Sequence, residues 1–198
     1  MKYLKILGLL AVAAAALMAF GGTASATTVK TSTSGAAATP TIHAVNENGH
    51  VKLENPISKI ECSSTVEGTV TSHGPEVTAI GHISVLNFTG CTNEWHVTTI
   101  ELPEANHPTG TLEVHWTSGH NGILTSSGTR VDATRFGVTC VYETVATKIG
   151  TVTGGNPATL DIEASIPINT KLSSFLCGTS PSKWEGNYST TSALYVAP

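Results

Sequence analysis

Charge is what this sequence has least of. Asp, Glu, Lys and Arg make up 12% of its 198 residues, about half the share of an ordinary soluble domain. With 10 Lys+Arg against 14 Asp+Glu there is no basic face of the kind nucleic acid requires, and too little charge for a long helical bundle or coiled coil. Aromatics account for 6%, methionine occurs twice, and histidine does not occur after His120. No CxxC pair, no HxH or HExxH spacing, no GxSxG elbow, no phosphate loop and no dinucleotide fingerprint is present. Those gaps remove the signatures of zinc-thiolate sites, zincins, α/β-type serine hydrolases and nucleotide-binding folds.

What the chain does have is hydroxyls. It holds 31 Thr and 18 Ser, so its polar surface is built mainly from uncharged side chains. An apolar share of 40% with a net charge of −4 can bury a core and excludes wholesale disorder. The length fits one domain.

Met1-Lys2-Tyr3-Leu4-Lys5 carries two positive charges, Ile6 to Phe20 is an apolar run, and Gly21-Gly22-Thr23 leads to Ala24-Ser25-Ala26. This is the layout of a secretory signal peptide, residues 1–26, cleaved after Ala26. The run of 15 residues falls short of the ~20 that cross a bilayer, which weighs against a membrane anchor. The earliest cysteine is Cys62, too far from the run for a lipid-bearing Cys. Loss of Lys2 and Lys5 leaves eight basic against 14 acidic residues, a net charge of −6, with both methionines gone and no membrane span.

Residues 27–55 read as a Thr/Ser/Ala-rich tether and lead-in, since Thr27 to Thr41 (TTVKTSTSGAAATPT) shows no apolar periodicity. Residues 56–198 read as an all-β domain. Leu112, Val114 and Trp116 alternate with Glu113 and His115, and Leu160 to Ile166 alternates in the same way. Each pattern predicts a strand with a core face and a wet face. A third strand places Phe136, Val138, Cys140 and Tyr142 on one face. Further strands are expected at Val66–Thr71, Val77–Leu86, Val97–Leu102, Gly122–Ser126, Ile149–Thr153 and Ser192–Val196. Turns are expected at His73-Gly74-Pro75, His107-Pro108-Thr109-Gly110, Ser118-Gly119-His120-Asn121-Gly122 and Gly154-Gly155-Asn156-Pro157. About nine strands with this punctuation predict an antiparallel β-sandwich.

The order Cys62, Gly68-Thr69-Val70-Thr71, Cys91, Trp95 returns as Cys140, Gly150-Thr151-Val152-Thr153, Cys177, Trp184. It reads either as a pseudo-duplication with loop insertions or as coincidence in a Thr/Val/Gly-rich chain. Taken as a repeat, it selects Cys62–Cys91 and Cys140–Cys177 from the three possible pairings. An even cysteine count in an exported chain supports disulfides, each stabilising by on the order of 3–4 kcal/mol.

Candidate chemistry is sparse. The eight histidines, among them His82, His115 and His120, are scattered, so a metal site would have to be assembled by folding. Asp161 and Glu163 share a strand face, and Glu101 and Glu113 can lie on neighbouring wet faces. Such pairs serve glycosidases but are more often solubility features. Trp95 and Trp184 are flanked by polar residues and read as stacking platforms for sugar rings or as plugs closing the ends of a sandwich, the plug being favoured because large indoles are usually buried. Asn87-Phe88-Thr89 and Asn187-Tyr188-Ser189 match the glycosylation pattern.

The Ala-rich signal ending Ala24-Ser25-Ala26, the Thr/Ala tether and the Cys…GTVT…Cys…Trp order together resemble small exported all-β proteins of actinomycete-type bacteria. The resemblance implies a folded, secreted or envelope-associated protein and carries over no catalytic residue, cofactor or metal. The function expected is a secreted, extracellular, non-enzymatic binding or structural module, with carbohydrate or a cell-wall component as a partner and Trp95 and Trp184 as binding residues. The alternatives are a polysaccharide hydrolase using Glu/Asp on a strand face and a His-dependent metal-binding protein.

Overall fold

The computed structural model describes residues 26–72, 78–100 and 109–198. Residues 1–25 of the expected signal peptide, the turn His73-Gly74-Pro75, and Glu101, Leu102, His107 and Pro108 lie outside the described residues. Two disulfides and fourteen strands make up the described fold, with three short 3-10 turns and no α-helix among the described residues. The strands are β1 (Thr28–Lys30), β2 (Thr41–Asn46), β3 (Val51–Asn55), β4 (Ser58–Thr71), β5 (Thr78–Thr89), β6 (His96–Ile100) and β7 (Thr111–Ser118). They continue as β8 (Asn121–Ser127), β9 (Arg130–Arg135), β10 (Val138–Glu143), β11 (Thr147–Thr153), β12 (Thr159–Ile166), β13 (Ser182–Thr190) and β14 (Tyr195–Ala197).

The main sheet closes on itself. β4, β5, β7, β8, β11, β12 and β13 pair antiparallel in that order, and the ring is completed by β2 and β3. These two lie end to end between β13 and β4, β2 on their C-terminal halves and β3 on their N-terminal halves. They are one stave broken by the 3-10 turn Glu47–Gly49. The result is an eight-stave up-and-down barrel in place of the expected sandwich of about nine strands. Closure satisfies the ladder groups that an open sheet would leave on its two edges.

Alternation decides which side faces in. On β12, Ile162, Ala164 and Ile166 are buried while Asp161, Glu163 and Ser165 are exposed. The interior is apolar and the outer wall polar, the reverse of a barrel that sits in lipid. Two glycines permit the curvature. At Gly68 the β4–β5 register shifts, and at Gly150 the β11–β8 register shifts. A Cβ at Gly68 would meet the His82 carbonyl oxygen at 2.3 Å, and one at Gly150 the Asp161 carbonyl oxygen at 2.0 Å. Both GTVT motifs are therefore bulge motifs, a backbone kink followed by an inward valine, Val70 or Val152.

Both ends of the barrel are corked. At one end β1 pairs antiparallel with β14, with Val29 opposite Val196, and Thr27 Oγ1 accepts a hydrogen bond from Trp116 N at 3.0 Å. The segment expected to be a tether thus starts as a packed strand: Thr27 and Val29 are buried, and Ala38 N donates to Val29 O at 2.8 Å. The opposite end is covered by a separate three-stranded sheet, ordered β10-β9-β6. It is inserted between β5 and β7 and between β8 and β11, and it contributes Val97, Val131, Ala133, Cys140 and Tyr142 to the common core.

The proposed repeat does not correspond to equivalent structural units. Cys62 and Gly68 share the single stave β4, whereas Cys140 belongs to β10 in the small sheet and Gly150 to the barrel stave β11. The cysteines do pair as Cys62–Cys91 and Cys140–Cys177.

Candidate functional site

The inserted sheet is the part of the molecule that least resembles a filler of space. Its root is clamped by buried hydroxyls where the β9–β10 hairpin leaves the barrel. Ser126 Oγ lies 2.9 Å from Thr129 Oγ1 and 3.1 Å from Thr144 Oγ1, and Thr129 N donates to Thr144 Oγ1 at 2.9 Å. Every member has a partner, so the burial costs little and the hairpin is held at a fixed angle. On the β6 side, Thr99 Oγ1 donates to the Leu86 carbonyl at 2.5 Å, and the Cys62–Cys91 disulfide ties the approach to β6 onto stave β4.

The free edge of β10 is covered by residues 167–174. Glu143 N donates to Pro167 O at 3.1 Å, Asn169 N to Val141 O at 2.7 Å and Ser174 N to Thr139 O at 2.9 Å. The segment runs antiparallel to β10 and delivers the 3-10 turn Phe175–Cys177 to the end at which β9 turns into β10. Ser174 caps that turn through its side chain, and Cys177 is fixed to Cys140.

That end of the sheet is apolar and open to solvent. Phe136 is 79% exposed, Phe175 89% and Leu176 55%. Sequence alternation places Phe136 in a strand, on one face with Val138, Cys140 and Tyr142; instead it occupies the two-residue turn Phe136-Gly137, closed by the pair Arg135 and Val138. Both turn residues have positive φ, 49° and 78°. A turn of this kind prefers Asn-Gly, because a bulky side chain strains the left-handed backbone. The residue present is thus unfavourable for the turn and unfavourable for solvation. The Arg135 guanidinium carbon stands 4.6 Å from the Phe136 ring centroid, a cation–π distance.

The residues singled out from sequence fall elsewhere. Trp184 is buried in the barrel, packed at 6.4 Å from Phe88. Its indole N–H lies close enough to the Tyr188 phenol to favour phenolate there, yet completes no hydrogen bond. It is a core residue and offers no platform for sugar. Trp95 is half-buried against the same core. Tyr188 donates to Ser64 Oγ at 3.0 Å, and burial pushes its phenol up to about 12.

The carboxylates lie in a charge lattice on the outer wall. Lys59 stands opposite Glu54, and Glu54 opposite Lys183; one row over, Glu61 stands opposite Lys52, Lys52 opposite Glu185 and Glu185 opposite Glu163. Lys183 bridges Glu163 and Glu185. Hydrogen bonding to Lys59 and Lys183 holds Glu61 and Glu185 below the usual carboxylate range. A general acid needs the opposite shift. Glu113 is exposed on β7, and Glu101 lies outside the described residues.

Among the described residues the histidines do not gather. His115 is exposed on β7, while His120 packs edge-on against Tyr195 at 5.2 Å. Among the described residues no three His, Cys, Asp or Glu side chains could together hold a metal ion. The barrel interior holds two adjoining apolar cavities of about 50 and 40 Å³, both lined by Val66, Ile83, Leu112, Leu124 and Leu160. Sites for metabolites run to several hundred Å³, and both interior cavities are far smaller. No described helix is long and apolar enough to cross a membrane.

No signal in the sequence singled out Phe136 or Phe175 as exposed. The only trace was Gly137 after a large residue, which the alternation pattern absorbed into a strand. No protein family, no curated protein and no solved structure matches this chain.

Proposed function

We propose that the protein is a secreted, non-enzymatic binding domain of the cell envelope, and that it engages its target through the open end of the β6–β9–β10 sheet. The observation that carries this reading is Phe136, a large apolar ring that is 79% exposed on a left-handed turn better served by Asn. Residues that work against both fold and solubility mark functional positions. Export is supported by the two disulfides, which belong to oxidising compartments, and by the Lys-flanked apolar segment ending at Ala24-Ser25-Ala26. The barrel, corked and disulfide-tied, holds the binding end in place.

The test is co-sedimentation of the mature protein with three insoluble fractions, namely peptidoglycan, wall polysaccharide and cell membranes. The wild type is compared with a Phe136→Asn, Phe175→Ser double variant. Retention of wild type on one fraction, lost in the double variant, supports the reading. Equal retention of both proteins places binding elsewhere and overturns it, as does failure of the wild type to bind any fraction.

A further inference from the structure

The apolar end has a chemistry of its own, and it narrows the target. Phe136 and Phe175 stand on two separate turns, each more than three-quarters exposed, and do not line a groove. Protruding rings of this kind need no shaped pocket in a fluid apolar phase, whereas a rigid protein partner needs a matching hole for each. Cations frame the rings. Arg135 stacks on Phe136, and Lys171 sits in the turn that follows Asn169, just before Phe175. Neither forms an ion pair with a carboxylate among the described residues. Two carboxylates are near: Glu94, two residues ahead of the His96–Thr134 pair and so at the same end of the sheet as Arg135, and Glu143, which accepts from Asn169 Nδ2 at 2.9 Å. A chain with a net charge of −4 therefore carries a cation stacked on one exposed ring and a second four residues before the other, neither of them ion-paired.

We infer that this end of the sheet is a lipid-surface contact, in which Phe136, Phe175 and Leu176 enter the boundary between headgroups and acyl chains while Arg135 and Lys171 lie among anionic headgroups. The inference rests on the reading of this end as the binding surface. It concerns peripheral attachment, since the barrel wall is polar. The rings supply affinity by leaving water, and the cations supply preference for negatively charged lipid.

Vesicle co-sedimentation tests it with the full mature chain, using phosphatidylcholine vesicles with and without phosphatidylglycerol. The wild type is expected to bind both, more tightly when phosphatidylglycerol is present. The Phe136→Asn, Phe175→Ser double variant is expected to lose partition by on the order of 100-fold, from two rings no longer buried. Lys171→Ala is expected to lose about fivefold on the anionic vesicles and nothing on phosphatidylcholine alone. All three substitutions are at exposed positions, and unchanged tryptophan fluorescence verifies the fold. Wild type that stays in the supernatant with both vesicle types, or a double variant that binds as well as wild type, overturns the inference. If vesicles fail while retention on an envelope fraction still depends on Phe136 and Phe175, the lipid assignment falls and the binding surface stands. Self-association that disappears in the double variant would instead seat a second copy of the chain there.

Discussion

Val70 and Val152 enter the same cavity from staves that stand opposite one another in the ring, each two residues after a glycine at a register shift. The two GTVT segments thus bend the wall at two diametrically placed points, for the same steric reason.

Filling either bend with a methyl group should be costly. Gly68→Ala and Gly150→Ala each drive a Cβ into a backbone carbonyl, and strain of this type costs on the order of 1–3 kcal/mol. Gly119→Ala is the control, since nothing lies within 4 Å of its added Cβ and its penalty comes from positive φ alone, about 1 kcal/mol. Urea unfolding of the three variants checks the order.

The two disulfides should separate stability from binding. Their cysteines are 29 and 37 residues apart, so each stabilises by about 3–4 kcal/mol in the chain-entropy model. Replacing Cys62 and Cys91 by Ser should lower the melting temperature and leave envelope retention intact below it. Replacing Cys140 and Cys177 should lower both, because Cys177 fixes the turn that carries Phe175. Calorimetry and the co-sedimentation assay, run on both variants, read the difference.

Tyr188 should make the protein sensitive to alkali. Its folded pKa, raised to about 12 by burial, exceeds the unfolded value of about 10. The neutral phenol is therefore favoured by folding: the stabilisation is complete below pH 10 and is lost as pH rises from 10 through 12, about 2–3 kcal/mol in all. Burial raises Tyr142 as well, so Tyr188→Phe should flatten this decline without abolishing it. The same variant loses about 1 kcal/mol at neutral pH with the hydrogen bond to Ser64. Denaturant midpoints taken across the alkaline range test the sign.

Phe136→Asn alone should stabilise the protein. Asn tolerates the left-handed turn that strains Phe, which is worth about 1 kcal/mol. A higher melting temperature together with weaker envelope retention is the expected outcome, and a lower melting temperature would mean that the ring supports the fold.

Much of the barrel can be read directly from the sequence, and its closure cannot. The alternation in Leu112–Trp116 and Leu160–Ile166 reports strands with one buried face, which is a local property. Whether the outermost staves then meet each other depends on the pairing of β13 with β12, β2 and β3, and no local pattern encodes that. β4 illustrates a second loss. The strand expected at Val66–Thr71 is only the C-terminal part of a 14-residue strand that starts at Ser58, and Gly68 inside it is a bulge. For the candidate site the loss is larger, because a turn residue with positive φ is invisible when the turn uses Phe in place of Asn. The disulfide pairing was legible from the order of features even though the duplication behind it was not structural: the GTVT segments recur because two walls needed the same bend.

The β1–β14 ribbon also sets the timing of folding. Thr28 Oγ1 donates to the Ala197 carbonyl across 169 positions of sequence. The ribbon that seals one mouth of the barrel therefore cannot assemble until nearly the whole domain has been synthesised. Contacts of such long range slow folding. A chain that cannot finish early keeps that mouth of the barrel open, with Val29 and Val196 still in water, until its last strand is in place.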